Sequence, residues 1–176
     1  PCGKCESCIA LSDPSNIDII EIDAASNNGV NEIRDLREKV QYPPVSCSKK
    51  VYIIDEVHML TGPAFNALLK TLEEPPKHVI FILATTEPHK IPVTVASRCQ
   101  KFQFSKISND ELVKRLKSIV ESENLSLQDE ILYEIARLSD GGARDAINML
   151  DQLIAYKDTD VTLSDVYNIN GSVSYV

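Results

Sequence analysis

The sequence predicts an α/β fold in which helices cover a parallel β-sheet, followed by a segment that is helical throughout. Two runs, 51–54 and 79–84, are continuously apolar and rich in β-branched residues, which is typical of strands buried on both faces of a parallel sheet. Helix patterns alternate with strand patterns up to about residue 105, and only helix patterns follow Ser108. Such an order indicates an α/β core with a helical lid.

The predicted elements of the core follow one another in a simple order. They are a strand over 17–22, a helix over about 30–40, a strand over 51–54, a helix over about 62–74, a strand over 79–84, a short helix over 93–96 and a last strand over 100–104. Proline marks several boundaries, because Pro43 and Pro75 stop the helices before them, whereas Pro63 fits a first helical turn. We expect the core to cover residues 15–105.

The helical segment begins with a capping box, in which Ser108 precedes Glu111 by three positions and an apolar stripe follows. A second helix is predicted over about 127–138, and Gly141 and Gly142 separate it from a third. The residues expected to face the core of this bundle are Leu112, Val113, Leu116, Ile119, Val120, Ala146, Ile147, Leu150, Leu153 and Ile154. We therefore predict a lid of three helices over 106–172.

The composition indicates a globular protein without a strongly basic surface. The chain has 176 residues, enough for one or two domains, and a net charge of −8. Tight nucleic-acid binding by bulk electrostatics is not expected, so any DNA contact would need local geometry or other subunits. No apolar run approaches the roughly 20 residues that span a bilayer, and no signal peptide is recognisable, so we expect no membrane partner.

Three of the five cysteines, Cys2, Cys5 and Cys8, form a CxxCxxC run. This spacing lets thiolates converge on one ion, and structural Zn²⁺ prefers four ligands. The fourth would lie upstream of Pro1 or come from a distant residue such as Cys47. Iron–sulfur ligation and unrelated free thiols are the alternatives. Because the chain begins with Pro1 rather than Met, we expect its natural N-terminus to lie further upstream.

Two adjacent carboxylates, Asp55 and Glu56, end the strand at 51–54. Ligands of open α/β sheets bind at the carboxyl ends of the strands, so the pair is expected at a ligand site. Carboxylates there suit nucleotide hydrolysis, because one can hold Mg²⁺ directly or through water while the next polarises the attacking water. The alternative is that the pair merely begins a helix, where acidic side chains favour the helix dipole.

Four patterns stand in one order along the chain. They are CxxCxxC at 2–8, Val-Tyr-Ile-Ile-Asp-Glu-Val-His at 51–58, Ala-Thr-Thr-Glu-Pro-His-Lys-Ile-Pro-Val-Thr-Val-Ala-Ser-Arg-Cys at 84–99, and Gly-Gly-Ala-Arg-Asp-Ala at 141–146. Together they resemble the γ/τ family of bacterial DNA polymerase III clamp-loader subunits, which are AAA+ ATPases. The resemblance implies an AAA+ parallel-sheet core, incomplete at its N-terminus, with a zinc-module remnant over 1–14 and a three-helix lid.

The resemblance also implies roles for single residues. Asp55 and Glu56 match the Walker B pair, so Asp55 would hold Mg²⁺ and Glu56 would orient and deprotonate the attacking water. Thr86 matches sensor 1, whose hydroxyl would bind the γ-phosphate of ATP or the lytic water. Arg98 matches the arginine finger, which acts in trans on a neighbouring subunit's nucleotide and can grip phosphoryl oxygens bidentately. Arg144 matches sensor 2, which would touch the γ-phosphate and couple the lid to the nucleotide state.

Each of these residues has a plainer interpretation. Thr86 could be a strand-end hydroxyl that caps the next turn, and Arg98 could be a surface ion-pair residue. Arg144 could pair with Asp140 or Asp145 on the surface.

The remaining chemically versatile residues of this region receive no functional role from the sequence. His58 lies beside the Asp-Glu pair, where a lone histidine is more often structural, and His89 has no assignable role. Cys99 is expected to pack as a small buried hydrophobe.

One part of the family pattern is missing from this chain. No GxxxxGK[ST] sequence occurs, and this is the loop that cradles the phosphates. In the family that loop precedes the cysteines, and a collar domain follows the lid, so we expect truncation at both ends. The chain alone is therefore expected to bind ATP poorly and to hydrolyse none.

The resemblance further implies cofactors, partners and a location. The cofactors are ATP, Mg²⁺ and Zn²⁺, and the partners are the δ and δ′ subunits of a hetero-pentamer, the sliding clamp and primer–template DNA. The location is the bacterial cytoplasm, at the nucleoid-associated replisome.

Two other functions compete with the ATPase. A non-hydrolysing scaffold like δ′ would share the zinc module and the Ser-Arg-Cys element, but it has no reason to keep Glu56, and Arg144 also favours the motor. A nucleic-acid helicase of the Asp-Glu-x-His type is opposed by the Ser-Arg-Cys element and the all-helical lid.

Overall fold

The computed structural model of the chain describes residues 2–13, 15–157 and 161–171. The chain divides into two compact units, with the boundary between Phe102 and Gln103. The sequence analysis puts the end of the core at residue 105. In the described ranges, no helix is long and apolar enough to cross a membrane.

The first unit contains a three-stranded sheet and its helices. Its elements are α1 (Glu6–Ser12), β1 (Ile19–Asp23), α2 (Val30–Val40), β2 (Lys50–Asp55), α3 (Gly62–Glu73), β3 (Val79–Leu83) and α4 (Val93–Ala96), with 3-10 turns at Val57–Met59 and Pro88–Lys90. All strand pairs are parallel and the order is β1–β2–β3. The predicted parallel α/β core is confirmed.

The core of the first unit lies on one face of this sheet. Tyr52 and Ile54 of β2 are almost fully buried there, together with apolar residues of α2 and α3. On the other face, Ile80 and Ile82 of β3 are 44% and 47% exposed. The expectation that this strand is buried on both faces is therefore wrong for the part of the chain that the structure describes.

A buried carboxylate ties the loop before β2 to the start of β1. Asp18, which is 0% exposed, accepts hydrogen bonds from the backbone N–H groups of Val45, Ser46 and Cys47 and from the Ser46 hydroxyl. Burial alone would raise the pKa of Asp18, but these four donors outweigh it, so the pKa is lowered. The charged carboxylate thus fixes the loop that leads into β2.

The strand predicted over 100–104 does not form. Within the described residues no strand pairs with this segment, and neither helix nor strand is assigned to it. Phe102 and Phe104 are 73% and 93% exposed. A strand needs a hydrogen-bonded neighbour, and an apolar alternation without one does not make a strand.

The second unit is a helical bundle of α5 (Asn109–Ser122), α6 (Asp129–Leu138), α7 (Ala143–Tyr156) and α8 (Leu163–Ile169). The predicted capping box is present, since the Ser108 hydroxyl accepts from Glu111 N–H at 3.4 Å and Glu111 Oε2 accepts from Ser108 N–H at 3.4 Å. Most expected core residues are buried, although Ile147 is 37% exposed. The three predicted helices are confirmed, and α8 is a fourth helix that the sequence analysis missed.

The break between α6 and α7 requires a glycine at one position. Gly141 has φ +82°, and a Cβ there would lie 2.6 Å from Cβ of Lys106. Lys106 also forms an ion pair with Asp140, which itself has positive φ. The close approach of the segment before α5 therefore explains why glycine stands at this turn.

Candidate functional site

The carboxyl ends of the three strands meet at one edge of the sheet. In the register of β1 and β2, Asp23 pairs with Asp55. The chain segments after the strands are bonded to one another, because Ala24 N–H donates to Asp55 O at 3.0 Å and Val57 N–H donates to Ala84 O at 2.9 Å. Residues that follow β2 and β3 therefore lie side by side.

Glu56 adopts a backbone conformation that is uncommon for a residue with a side chain. Its φ and ψ are 46° and 42°, in the left-handed region. Its N–H donates to Asp55 Oδ1 at 2.9 Å, which fixes the turn from β2 into the 3-10 turn. Non-glycine residues in this region carry strain, and such strain concentrates at functional sites. The outlier thus falls on a residue that the sequence analysis singles out for chemistry.

Thr86 and Glu56, predicted to serve one reaction, are in direct contact. The Thr86 hydroxyl donates to Glu56 Oε2 at 3.1 Å. In the described part of the chain, Asp55 Oδ2 and Glu56 Oε1 have no hydrogen-bond partner, and Asp55 is exposed. The strand ends thus present two free carboxylate oxygens.

A histidine completes this group of side chains. His58 Nδ1 lies 3.2 Å from Glu56 Oε2 and 3.0 Å from the Thr85 hydroxyl, while Nε2 lies 3.1 Å from Glu87 Oε2. The His58 side chain is only 8% exposed. We call Asp55, Glu56, His58, Thr86 and Glu87 the strand-end cluster.

Glu87 is held in place on its outer side. Lys90 Nζ donates to Glu87 Oε2 at 2.6 Å, and this hydrogen bond is the main cause that lowers the pKa of Glu87. Thr85 Oγ1 accepts from the Glu87 N–H at 3.0 Å. The strand-end cluster is therefore braced at both the side chain and the backbone of Glu87.

Sequence reasoning missed four residues of this region: Asp23, Thr85, His58 and Glu87. Asp23 had a usable signal, because it ends a strand pattern as Asp55 does. Its pKa is lowered by hydrogen bonds from the Ser26 hydroxyl and the Ala25 N–H. Of the other three, His58 lies in the 3-10 turn Val57–Met59, and Thr85 and Glu87 lie in the irregular chain between β3 and the next 3-10 turn. The sequence gives no periodic signal for such segments.

The three N-terminal cysteines converge in space as their spacing predicts. The Sγ atoms of Cys2, Cys5 and Cys8 all lie within 4.8 Å of one another, and Cys2 Sγ and Cys8 Sγ are 3.9 Å apart. The backbone N–H groups of Lys4 and Cys5 donate to Cys2 Sγ and lower the pKa of Cys2 to about 7. Among the described residues Cys47 is not part of this group, so it is not the fourth ligand here.

The predicted arginine finger forms an ion pair at the end of α3. Arg98 Nη2 lies 3.0 Å from Glu73 Oε1, and Nη1 donates to Thr94 O at 2.6 Å. The Arg98 side chain is 37% exposed. Cys99 beside it is partly buried against the core, and burial raises its pKa, in agreement with the expected packing role.

The predicted sensor 2 residue lies in the second unit. Arg144 stands in the first turn of α7 and is exposed. In the described ranges it forms no ion pair with Asp140 or Asp145, so the plainer interpretation of this residue as an ion-pair partner is not observed. Among the described residues nothing occupies its guanidinium, which is therefore open to a ligand.

Comparisons with known proteins match both units. The family model described as "DNA polymerase III, delta subunit" matches residues 1–108. The model described as "DNA polymerase III clamp loader subunit, ATPase lid domain" matches residues 111–159.

Similar sequences carry the names of tau and gamma subunits. DNA polymerase III subunit tau of Bacillus subtilis (strain 168) is 55% identical over 99% of this chain. The tau subunit of Escherichia coli (strain K12) is 44% identical over 98% of this chain. The chain spans 31% and 27% of the length of these two relatives.

Two solved structures of Thermotoga maritima proteins share the fold. A DNA polymerase III gamma subunit-related protein has a TM-score of 0.55 and 27% identity, covering 83% of this chain and 50% of that one. The RuvB Holliday junction branch migration motor has a TM-score of 0.69 and 17% identity, covering 87% and 52%. The fold is that of the AAA+ ATPases. The chain belongs to the family of DNA polymerase III clamp-loader subunits, and the resemblance to the γ/τ subunits is confirmed.

Proposed function

We propose that this chain is part of an ATPase motor subunit of the bacterial clamp loader. The motor would use ATP binding and hydrolysis to load the sliding clamp on primed DNA during chromosome replication. The tau names of the two sequence relatives and the gamma-related name of the solved structure support this function. Since the chain spans under a third of those relatives, the activity is a property of the whole subunit.

The observation that carries the proposal is the hydrogen bond from Thr86 to Glu56 beside Asp55. Asp55 suits Mg²⁺, because its carboxylate is exposed and Oδ2 has no partner among the described residues. Bound Mg²⁺ would neutralise charge on the phosphates of ATP. Glu56 orients and deprotonates the attacking water, and Thr86 contacts the γ-phosphate or that water.

Two arginines have proposed roles of their own. Arg98 acts in trans on the nucleotide of a neighbouring subunit, and its exposed guanidinium supports this role. Arg144 acts as sensor 2 and couples the lid to the γ-phosphate. Its exposure in the first turn of α7, without an ion-pair partner among the described residues, supports that role.

We also assign Zn²⁺ to Cys2, Cys5 and Cys8. A tetrahedral site with Zn–S bonds of about 2.3 Å separates the sulfurs by about 3.8 Å, which fits the 3.9 Å between Cys2 and Cys8. The lowered pKa of Cys2 favours the thiolate that a metal requires. The fourth ligand comes from outside this group of three.

The partners and location follow from the same proposal. They are the other subunits of a hetero-pentamer, δ and δ′ among them, the sliding clamp and primer–template DNA, in the cytoplasm at the replisome. Residues 1–176 alone bind ATP poorly and hydrolyse none, because they contain no GxxxxGK[ST] loop to hold the phosphates.

The decisive experiment is Glu56→Gln in the full-length subunit, assembled with its partners. The amide keeps the size of the side chain but cannot accept the water's proton, so ATP still binds while its turnover falls at least about a hundredfold. Nucleotide binding and steady-state phosphate release measure the two effects separately. Wild-type turnover by this variant would remove Glu56 from the mechanism.

The alternative is a non-hydrolysing scaffold, similar to δ′. The match of residues 1–108 to a model described as a delta subunit favours it. The same experiment separates the two functions, since a scaffold shows no ATP turnover before Glu56 is changed.

A further inference from the structure

His58 lies between two carboxylates that belong to different segments. Its Nδ1 faces Glu56 Oε2 at 3.2 Å, and its Nε2 faces Glu87 Oε2 at 3.1 Å. A carboxylate oxygen only accepts hydrogen bonds, so a ring nitrogen can bond to either carboxylate only by donating. With the side chain 8% exposed, little water competes for either contact.

The ring has little freedom to turn away from Glu56. Its far nitrogen lies 3.1 Å from Glu87 Oε2, which Lys90 holds at 2.6 Å. The Glu87 N–H is bonded to the Thr85 hydroxyl, which also lies 3.0 Å from His58 Nδ1. The orientation of His58 is therefore set by contacts on both sides of the ring.

We propose that His58 is a positioning residue for Glu56 in ATP hydrolysis, which rests on the function proposed above. Its Nδ1–H holds Oε2 of Glu56, so that Oε1, which has no partner among the described residues, is the oxygen that receives the proton. In the step, the water oxygen bonds to the γ-phosphorus and the bond from that phosphorus to the β-bridging oxygen breaks. ADP leaves with the electron pair, and the water's proton goes to Oε1.

Thr86 explains why a second donor to Oε2 is needed. In the structure the Thr86 hydroxyl also donates to Glu56 Oε2, at 3.1 Å. A hydroxyl has one proton, so Thr86 gives up this bond when it donates to the γ-phosphate. His58 then remains the donor to Oε2, and it keeps the Glu56 side chain from rotating away.

The test uses two substitutions, each of which puts an amide nitrogen near the position of one of the two imidazole nitrogens. His58→Asn puts an amide nitrogen near the position of Nδ1, so it can still donate to Glu56. His58→Gln puts its amide nitrogen near Nε2, so it reaches Glu87 and loses Glu56. In the full-length assembled subunit, we expect H58N to keep kcat within about threefold of wild type, and H58Q to lower kcat on the order of tenfold to a hundredfold.

The KM for ATP separates positioning from binding. Because His58 acts on the attacking water through Glu56, H58Q lowers kcat while the KM for ATP stays within about twofold. His89→Ala is the matched control, since His89 is 74% exposed and lies 3.9 Å from Glu87. Equal kcat values for H58N and H58Q would overturn the proposal, whether both are high or both are low.

Two further measurements keep the outcomes separate. If H58Q does not fold, as judged by thermal unfolding, His58→Ala replaces it in the comparison with H58N, and the same result is expected. Glu56→Gln is assayed in parallel: loss of turnover there, together with equal H58N and H58Q, rejects the role of His58 alone. Full turnover by Glu56→Gln removes Glu56 from the mechanism, and the role of His58 with it, whereas a wild-type subunit that shows no ATP turnover rejects the proposed function.

Discussion

At the scale of single residues, Tyr52 places in the core a hydroxyl that forms no hydrogen bond with the described residues. The side chain is almost fully buried and its ring stacks on Phe81, with centroids 5.5 Å apart. In the described ranges its hydroxyl has no hydrogen-bond partner, and burial raises its pKa. An unpaired buried hydroxyl costs stability, because the bond it made to water is not replaced.

We therefore predict that Tyr52→Phe does not destabilise the chain and stabilises it by about 1 kcal/mol. The change removes the unpaired hydroxyl and keeps the ring contact with Phe81. Urea unfolding of the purified chain measures the difference in unfolding free energy. Tyr42→Phe is the control, because Tyr42 is 66% exposed and its hydroxyl is open to water. A loss of more than about 1 kcal/mol would show that the Tyr52 hydroxyl has a partner after all.

Only some residues of the strand-end cluster could be predicted from the sequence. Asp55 and Glu56 were accessible because a strand pattern ends at them, and Thr86 because it follows the next strand. His58 and Glu87 were not, because their contact depends on two 3-10 turns and on the left-handed backbone of Glu56. Neither feature has a residue pattern that a single sequence displays.

At the scale of elements, hydrophobic periodicity predicted the helices that pack with one apolar face. It failed for a segment that needs a neighbouring strand to form a strand. The helices α5 and α7 match their predicted apolar faces except at Ile147, because a helix satisfies its own backbone and needs only one apolar stripe. The segment 100–104 has strand-like alternation but finds no partner in the described residues. The helix α8 was missed because its seven residues are too short for a clear period.

The stability of the N-terminal segment that carries Cys2, Cys5 and Cys8 should depend on bound metal. We predict that Cys5→Ser in the full-length subunit lowers bound zinc to well under one ion per chain and loosens only the N-terminal module. Replacing one thiolate leaves too few ligands for a closed tetrahedral site. Metal analysis measures the zinc content, and substitution with Co²⁺ reports thiolate coordination through its charge-transfer absorption.

Cys47→Ser is the matched control for the zinc prediction. Cys47 is a free cysteine outside the group of three, so its replacement leaves the zinc content unchanged. Full zinc occupancy in the Cys5→Ser subunit would contradict the assignment of Cys5 as a ligand. Loss of zinc in Cys47→Ser would instead make Cys47 the fourth ligand in the complete subunit.

At the scale of the whole molecule, the proposed reaction needs more than this chain contains. The residues proposed as the Walker B pair, sensor 1 and sensor 2 are present, whereas no GxxxxGK[ST] phosphate loop occurs in the chain. The sequence predicted this arrangement through the order of its motifs. For Arg98 the structure shows a surface ion pair, with Glu73, as its plainer interpretation predicted, and the role in trans stays a prediction.

Arg98 is the residue through which one subunit is expected to act on the next. In this structure Glu73 and the carbonyl of Thr94 bind its guanidinium. We predict that Arg98→Ala leaves the mutant's own ATP site competent and lowers turnover at the neighbouring site by on the order of a thousandfold, because the transition-state charge there loses its guanidinium. Assemblies with the variant in one defined position, combined with Glu56→Gln to silence chosen sites, measure turnover site by site.

Arg98→Lys is the comparison that tests the chemistry of the contact. Lysine keeps the charge but not the bidentate fork, so we expect it to restore only a small part of the neighbour's rate. Full activity at every site of an assembly that contains Arg98→Ala would mean that the pair with Glu73 is the residue's only role. Loss of turnover at the mutant's own site, with a normal neighbour, would place Arg98 in cis.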